Sequence, residues 1–338
     1  MREKQVWLDN ARAITTIAVI FLHVAAPLLY EYGKVSNELW WVGNVYDSAV
    51  RFCVPIFFMI TGALLLSKDS TLSDFLRKRF LRIIPPLVFW SLVYIVYNTF
   101  IVDKKSVTLL EFGGKIIKGL FQRSEYHLWF IYVLLGLYLC IPILRKWIKN
   151  ASNKEIHYFI LIWGITLLYR IPGISDYLPE ITLVNFSGFI GYLVLGYYLA
   201  NKTVRSNYIP VILVVIGTLI TIFGTYYLSY QEQEFCEYLY GYLTPNVLMS
   251  SIGVFLLFKK WSIKNKIAIK TITFLSSHSF GIYLSHILVL SILERQGLDW
   301  SWIHPAFSIP LLTIVSLLVS GGIVYLLKKN KYGRYVSG

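Results

Sequence analysis

Residues 9–30 read Asp9-Asn10-Ala11-Arg12-Ala13-Ile14-Thr15-Thr16-Ile17-Ala18-Val19-Ile20-Phe21-Leu22-His23-Val24-Ala25-Ala26-Pro27-Leu28-Leu29-Tyr30. From residue 13 onward the stretch is almost wholly apolar. As a helix it is long enough to cross a hydrocarbon core about 30 Å thick, which takes roughly 20 residues. Arg12 stands at its entrance and His23 deep inside, eleven positions on. That spacing is about 16–17 Å along a helix and close to three whole turns, so the two share one face. Two roles fit the pair. They line a channel for a long ligand with a polyanionic head, or the arginine snorkels to the interface while the histidine bonds to a neighbouring helix.

Nine further stretches meet the same test, at 41–66, 83–101, 127–144, 156–171, 184–200, 208–228, 242–258, 272–293 and 304–327, of which those at 156, 184 and 242 are short. The expected fold is an all-α integral membrane protein, a bundle of about ten transmembrane helices forming one domain over residues 1–338 with no fused soluble domain. The longest connection, 102–126, is expected to hold a short surface or re-entrant helix. The charged start and first apolar run resemble a secretory signal, but nine later spans and the polar groups in that run favour a retained first helix.

Composition agrees. Of 338 residues, 56% are hydrophobic and 15% charged, against about 45–50% and 25% in soluble domains. A soluble globule and a disordered chain are excluded. A net charge of +14 would by itself suggest nucleic acid, but the cations follow the membrane instead. With the N-terminus cytoplasmic and the spans alternating, 23 Lys and Arg fall on the inner side and 8 on the outer, with Arg51 inside the second span. This is the positive-inside pattern. Both termini are expected in the cytoplasm, with membrane lipids and not nucleic acid as the surroundings. Three cysteines without metal-ligand spacing offer neither a disulfide framework nor a metal site.

Ionisable groups inside apolar segments cost about 2.5–3.5 kcal/mol at a helix centre, so each is a candidate for function. Asp47 and Arg51 form an i,i+4 pair in the second span, and Pro55 is expected to kink that helix. An inner loop is expected at Arg77-Lys78-Arg79-Phe80-Leu81-Arg82, before Pro85 and Pro86. Its cations either hold phosphate at a helix entrance or simply anchor the topology. His127 and Trp129 open the fourth span; Tyr283 and His286 are i,i+3 neighbours in the ninth, and His278 reads as a satisfied structural histidine. Most of the aromatic residues, 17% of the chain, fit an interfacial belt.

Together these residues resemble the acyltransferase-3 family of bacterial membrane O-acyltransferases, in particular its stand-alone surface-polysaccharide O-acetyltransferases. Arg12 and His23, with Asp9 before them, are similar to the family's first-helix signature. Arg79-x-x-Arg82 followed by Pro85 is similar to its cytoplasmic element, and Arg51 through Pro55 to Gly62 to its second-span motif, with Thr61 where serine is usual. The stretches His127-Leu128-Trp129-Phe130 and Ser279 to His286 resemble two more. In a large branch the fourth span carries acidic residues; here Trp129 is followed by Phe130, Ile131 and Tyr132, so no acid carries over.

The resemblance implies transfer of an acetyl or similar short acyl group from cytoplasmic acyl-CoA to a hydroxyl of a cell-surface or lipid-linked glycan, in the bacterial inner membrane. It implies acetyl-CoA as donor and no metal. Arg79, Arg82, Lys78 and Arg12 would hold the CoA phosphates, with His23 and Arg12 as the catalytic pair. Asp9, Arg51, His127, Trp129, Tyr283 and His286 would bind substrate or support the site. Cell-envelope glycan-assembly proteins are implied partners. Two other readings remain: a glycan or small-molecule exporter, and a non-catalytic subunit of a glycan-assembly complex. Paired broken half-helices, the usual pointer to a transporter, are not evident in the sequence.

Overall fold

A computed structural model describes residues 6–171, 174–179, 181–183, 186–203 and 206–338. Among these every regular element is helical. The chain begins with α1 (Val6–Leu29), then α2 (Asn37–Val50) and α3 (Cys53–Leu65). It continues through α4 (Leu72–Val96), which runs on as a short π-helical stretch to Val102, α5 (Leu109–Gln122) and α6 (Trp129–Asn150). There follow α7 (Asn153–Leu168), α8 (Ile190–Asn201), α9 (Tyr208–Glu232) and α10 (Pro245–Lys260). The last are α11 (Lys266–Arg295), α12 (Pro305–Lys329) and the single turn α13 (Gly333–Val336).

Among the described residues eight segments are long and apolar enough to cross a membrane: α1, α2 with α3, α4, α6, α9, α10 together with the turn that precedes it from Tyr238, α11 and α12. The two expected spans that fall short are α7, of 16 residues, and α8, of 12, about 24 and 18 Å of helix. The sixth expected span began at 184–185, which lie outside the described residues, as do residues 1–5 at the N-terminus. α8 is short because it is enclosed: Tyr192, Leu193 and Val194 are fully buried, the mark of a helix apolar all round. It crosses α3 at a pair of glycines. A Cβ on Gly62 would overlap the Leu193 backbone, and one on Gly196 the Met59 backbone. Small residues let helix backbones meet closely where lipid supplies no hydrophobic drive.

One expected interruption is found and one expected loop is not. The second span is interrupted at Arg51–Phe52, as Pro55 requires. A proline ring clashes with the carbonyl four residues earlier and has no N–H to offer it, and that carbonyl belongs to Arg51. The ladder resumes with Ile56 N–H donating to Phe52 O at 3.1 Å. The expected loop at Arg77–Arg82 is helical, because Thr71 caps α4 by accepting from Asp74 N–H at 3.2 Å. The cations therefore ride on the second and third turns of α4, beyond the reach of its N-terminal dipole.

The 102–126 connection does hold a surface helix. α5 is closed by a capping box in which Thr108 and Glu111 satisfy each other's main-chain N–H, and those bonds hold the Glu111 carboxyl below its usual range. Leu110, Ile117 and Phe121 form an exposed apolar stripe along it.

α1 stands at the centre, packed against α11, α2, α3 and α12. Its neighbours decide what Arg12 and His23 meet.

Candidate active site

The arginine end comes first. Arg12 Nη1 donates to Ser276 Oγ of α11 at 3.1 Å and lies 3.4 Å from Asp9 Oδ1, which also accepts from Ser276 Oγ at 2.7 Å. This small network holds the guanidinium at the mouth of a cavity of about 170 Å³, whose wall includes Arg12, Arg79, Arg82, Tyr138, Phe130 and Tyr283. Arg79 and Arg82 share a face of α4 because they are three residues apart. Lys78 is exposed and does not line the cavity. The structure therefore brings three of the four expected phosphate ligands together and leaves one out.

At the far end of the same cavity stands Tyr283. Its hydroxyl donates to the carbonyl of His127, which lies in the turn Tyr126–Leu128 before α6. One turn further along α11, His286 places Nδ1 2.6 Å from Tyr283 O and Nε2 3.0 Å from His23 Nδ1. The rings of His127 and His286 lie 5.3 Å apart between centroids, and those of His23 and His127 6.5 Å. Three histidines from α1, α11 and the start of α6 thus meet beside Tyr283. His286 and His127 are 0% and 1% exposed, while His23 keeps accessible surface. His278, eight residues before His286, does not join them. Its Nδ1 lies against Phe274 O at 2.7 Å and its ring stacks on Phe274.

Tyr94 supports the cluster in a way no spacing predicted. Its hydroxyl donates to Leu284 O at 2.8 Å and accepts from Leu288 N–H at 3.1 Å. Those two groups ordinarily bond to each other along a helix, so the side chain is wedged into the ladder of α11. The wedge sits in the turn that carries His286.

Arg51 is placed differently. It pairs with Asp47, reaches Tyr240 O at 3.3 Å, and lies over the ring of Tyr240 with its guanidinium carbon 4.2 Å from the centroid. Asp47 is fully buried. The two charges of the i,i+4 pair thus neutralise each other inside the bundle.

Packed aromatic rings link the wall of this cavity to that of a second one. Phe130 packs on Phe58 and Phe58 on Phe189, each with centroids 4.8 Å apart. Trp129 stacks on Tyr242 at 5.8 Å and 21°. The second cavity, of about 900 Å³, is walled by Tyr169, Arg170, Phe189, Tyr238, Tyr242 and Thr244 among others. This volume falls in the range of small-molecule sites. Sequence reasoning missed it because its walls come from connections and helix ends. The run of aromatics around Tyr238 and Tyr240, which fits an interfacial belt equally well, was the only signal.

A family model described as an acyltransferase domain matches residues 5–325. The chain is also 24% identical over 307 residues to YfiQ of Bacillus subtilis strain 168, whose assigned name is that of a membrane-bound acyltransferase. That alignment covers 85% of this chain and 80% of the relative. No solved structure matches.

Proposed function

The chain belongs to the acyltransferase-domain family, and from that premise we propose that it moves an acetyl or similar short acyl group from cytoplasmic acyl-CoA to a hydroxyl of a cell-surface or lipid-linked glycan. The single observation that carries this reading is the first cavity, with Arg12, Arg79 and Arg82 at one end and Tyr283, backed by the three histidines, at the other.

The cavity is narrow, and its 170 Å³ suit a slender arm better than a nucleotide. The CoA phosphates then stay at the mouth, where arginine forks match phosphate oxygens. The pantetheine arm runs toward Tyr283, over a length comparable to the rise from Arg12 to His23. The acceptor approaches through the second cavity, whose aromatic rings and hydroxyls suit a sugar. His23 takes the proton of the acceptor hydroxyl, the oxygen attacks the thioester carbonyl, and the carbon–sulfur bond breaks. The proton leaves with the thiol. In this reading the enzyme sits in the inner membrane of a bacterium, and the glycan is turned outward.

The test is thiol release from acetyl-CoA by the purified protein in lipid, with a glycan acceptor supplied. His23→Ala should abolish it, a loss of at least about 100-fold, while CoA binding persists. Arg79→Ala and Arg82→Ala should raise the donor KM and spare kcat. Full activity in His23→Ala, or an unchanged donor KM in both arginine variants, would sink the assignment.

A further inference from the structure

The hydrogen bonds of His286 decide which nitrogen of His23 can react. A carbonyl oxygen only accepts, so the 2.6 Å contact with Tyr283 O requires a proton on His286 Nδ1. In a neutral ring the other nitrogen then carries a lone pair. His286 Nε2 faces His23 Nδ1 at 3.0 Å, so His23 Nδ1 must supply the proton of that bond. The Nε2 of a neutral His23 is left bare.

The alternative is a doubly protonated His286 that donates at both nitrogens. Its ring contacts are a carbonyl and another imidazole, and it is 0% exposed. The buried carboxylate among the described residues, Asp47, is committed to Arg51. A cation enclosed without a counter-charge is disfavoured. His127 does not compete for His23 Nδ1: its ring lies 6.5 Å from that of His23 between centroids, and the hydrogen-bonding group it meets is the main chain of Leu284.

We infer that His286 is a positioning residue that fixes His23 in the Nδ1-protonated tautomer, through a relay running Tyr283 carbonyl, His286, His23, and so presents His23 Nε2 as the bare nitrogen that reacts. This rests on the acyl-transfer reading above for the reaction, but not for the tautomer. A free neutral histidine side chain in water prefers the opposite form, with the proton on Nε2, which then has no lone pair left to accept a proton. When His23 takes a proton on Nε2, the Nδ1 bond to His286 persists and holds the ring still. The Tyr94 wedge fits the same scheme, because it fixes the turn of α11 on which His286 rides.

Solid-state nitrogen-15 spectra of histidine-labelled protein in lipid read the tautomer directly, with the His23 signals assigned by their loss in H23N. Wild-type protein should show His23 protonated on Nδ1 and bare on Nε2. In H286F, which keeps a flat ring but removes the acceptor, His23 should shift toward the Nε2-protonated form. Thiol release from acetyl-CoA by the same preparation should fall about 100-fold in kcat, with the donor KM unchanged within about twofold. H286Q, whose amide oxygen can accept where Nε2 stood, should recover to within about tenfold of wild type. A wild-type His23 protonated on Nε2 overturns the inference, as does an H286F protein with wild-type kcat. If H286F does not assemble, the wild-type spectrum and H286Q decide. Absence of thiol release by wild-type protein counts against the acyl-CoA reading alone, and the spectrum still judges the relay.

Discussion

Arg12 and Arg51 both enter the bundle from a membrane helix, and each has an aspartate on its own chain, three or four residues before it. Arg51 is matched to a fully buried Asp47, its own side chain 13% exposed, and roofed by Tyr240. Arg12 shares a partly exposed Asp9 with Ser276, its side chain 27% exposed, and opens onto a cavity with two more arginines. The first pair is closed upon itself. The second leaves cationic surface facing a space that a ligand can fill. Two residues of the same type, in similar sequence contexts, are thus set apart by what surrounds them: Arg51 is paired off within the bundle and Arg12 faces the cavity.

The sharpest way to break this contrast is Arg51→Met. It leaves Asp47 buried and unpaired, with one carboxylate oxygen already lacking a described donor, and should cost about 3–5 kcal/mol of stability. Unfolding of the protein in detergent measures it. The double variant Arg51→Met with Asp47→Leu should regain most of that loss, since the uncompensated charge is gone. A single variant as stable as wild type would remove the structural role.

Arg12→Ala should behave the other way. The fold should persist with little change in melting, while the donor KM rises by about 10- to 100-fold, the equivalent of one charge-assisted hydrogen bond of about 1.5–3 kcal/mol. A collapse of folding with no KM effect would make Arg12 another Arg51. The smallest expected effect is that of Lys78→Ala. Exposed and off the cavity wall, it should change the donor KM by no more than about twofold, as surface charges usually do. A larger rise would show that the phosphates extend beyond the cavity mouth.

Much of this was legible in the sequence. Helical spacing put Arg12 and His23 on one face and paired Asp47 with Arg51, because periodicity governs what lies along one helix. The cations of α4 were recognised but misplaced in a loop, since the Thr71 cap was overlooked in favour of the later apolar run. The interruption of the second span was legible from Pro55, which disturbs the carbonyl four residues before it. What spacing could not supply is which helices meet. His127, His286 and His23 converge through the packing of α6, α11 and α1, and the Tyr94 wedge depends on α4 lying against α11. Lateral contacts in lipid follow shape and hydrogen bonding at particular small and polar residues, which leave no repeating mark along the chain.

The packed rings between the walls of the two cavities have an electrical consequence. A resting membrane potential does work of about 2.3 kcal/mol per 100 mV on each elementary charge that crosses it. In the orientation proposed above, aqueous cavities on either side would concentrate that voltage drop onto the packed rings of Phe130, Phe58, Phe189, Trp129 and Tyr242. In the transfer proposed above the polyanion never passes these rings. An acyl group passes outward and the acceptor's proton passes inward to the thiol, an exchange that moves no net charge, so the reaction proceeds without drawing on the voltage.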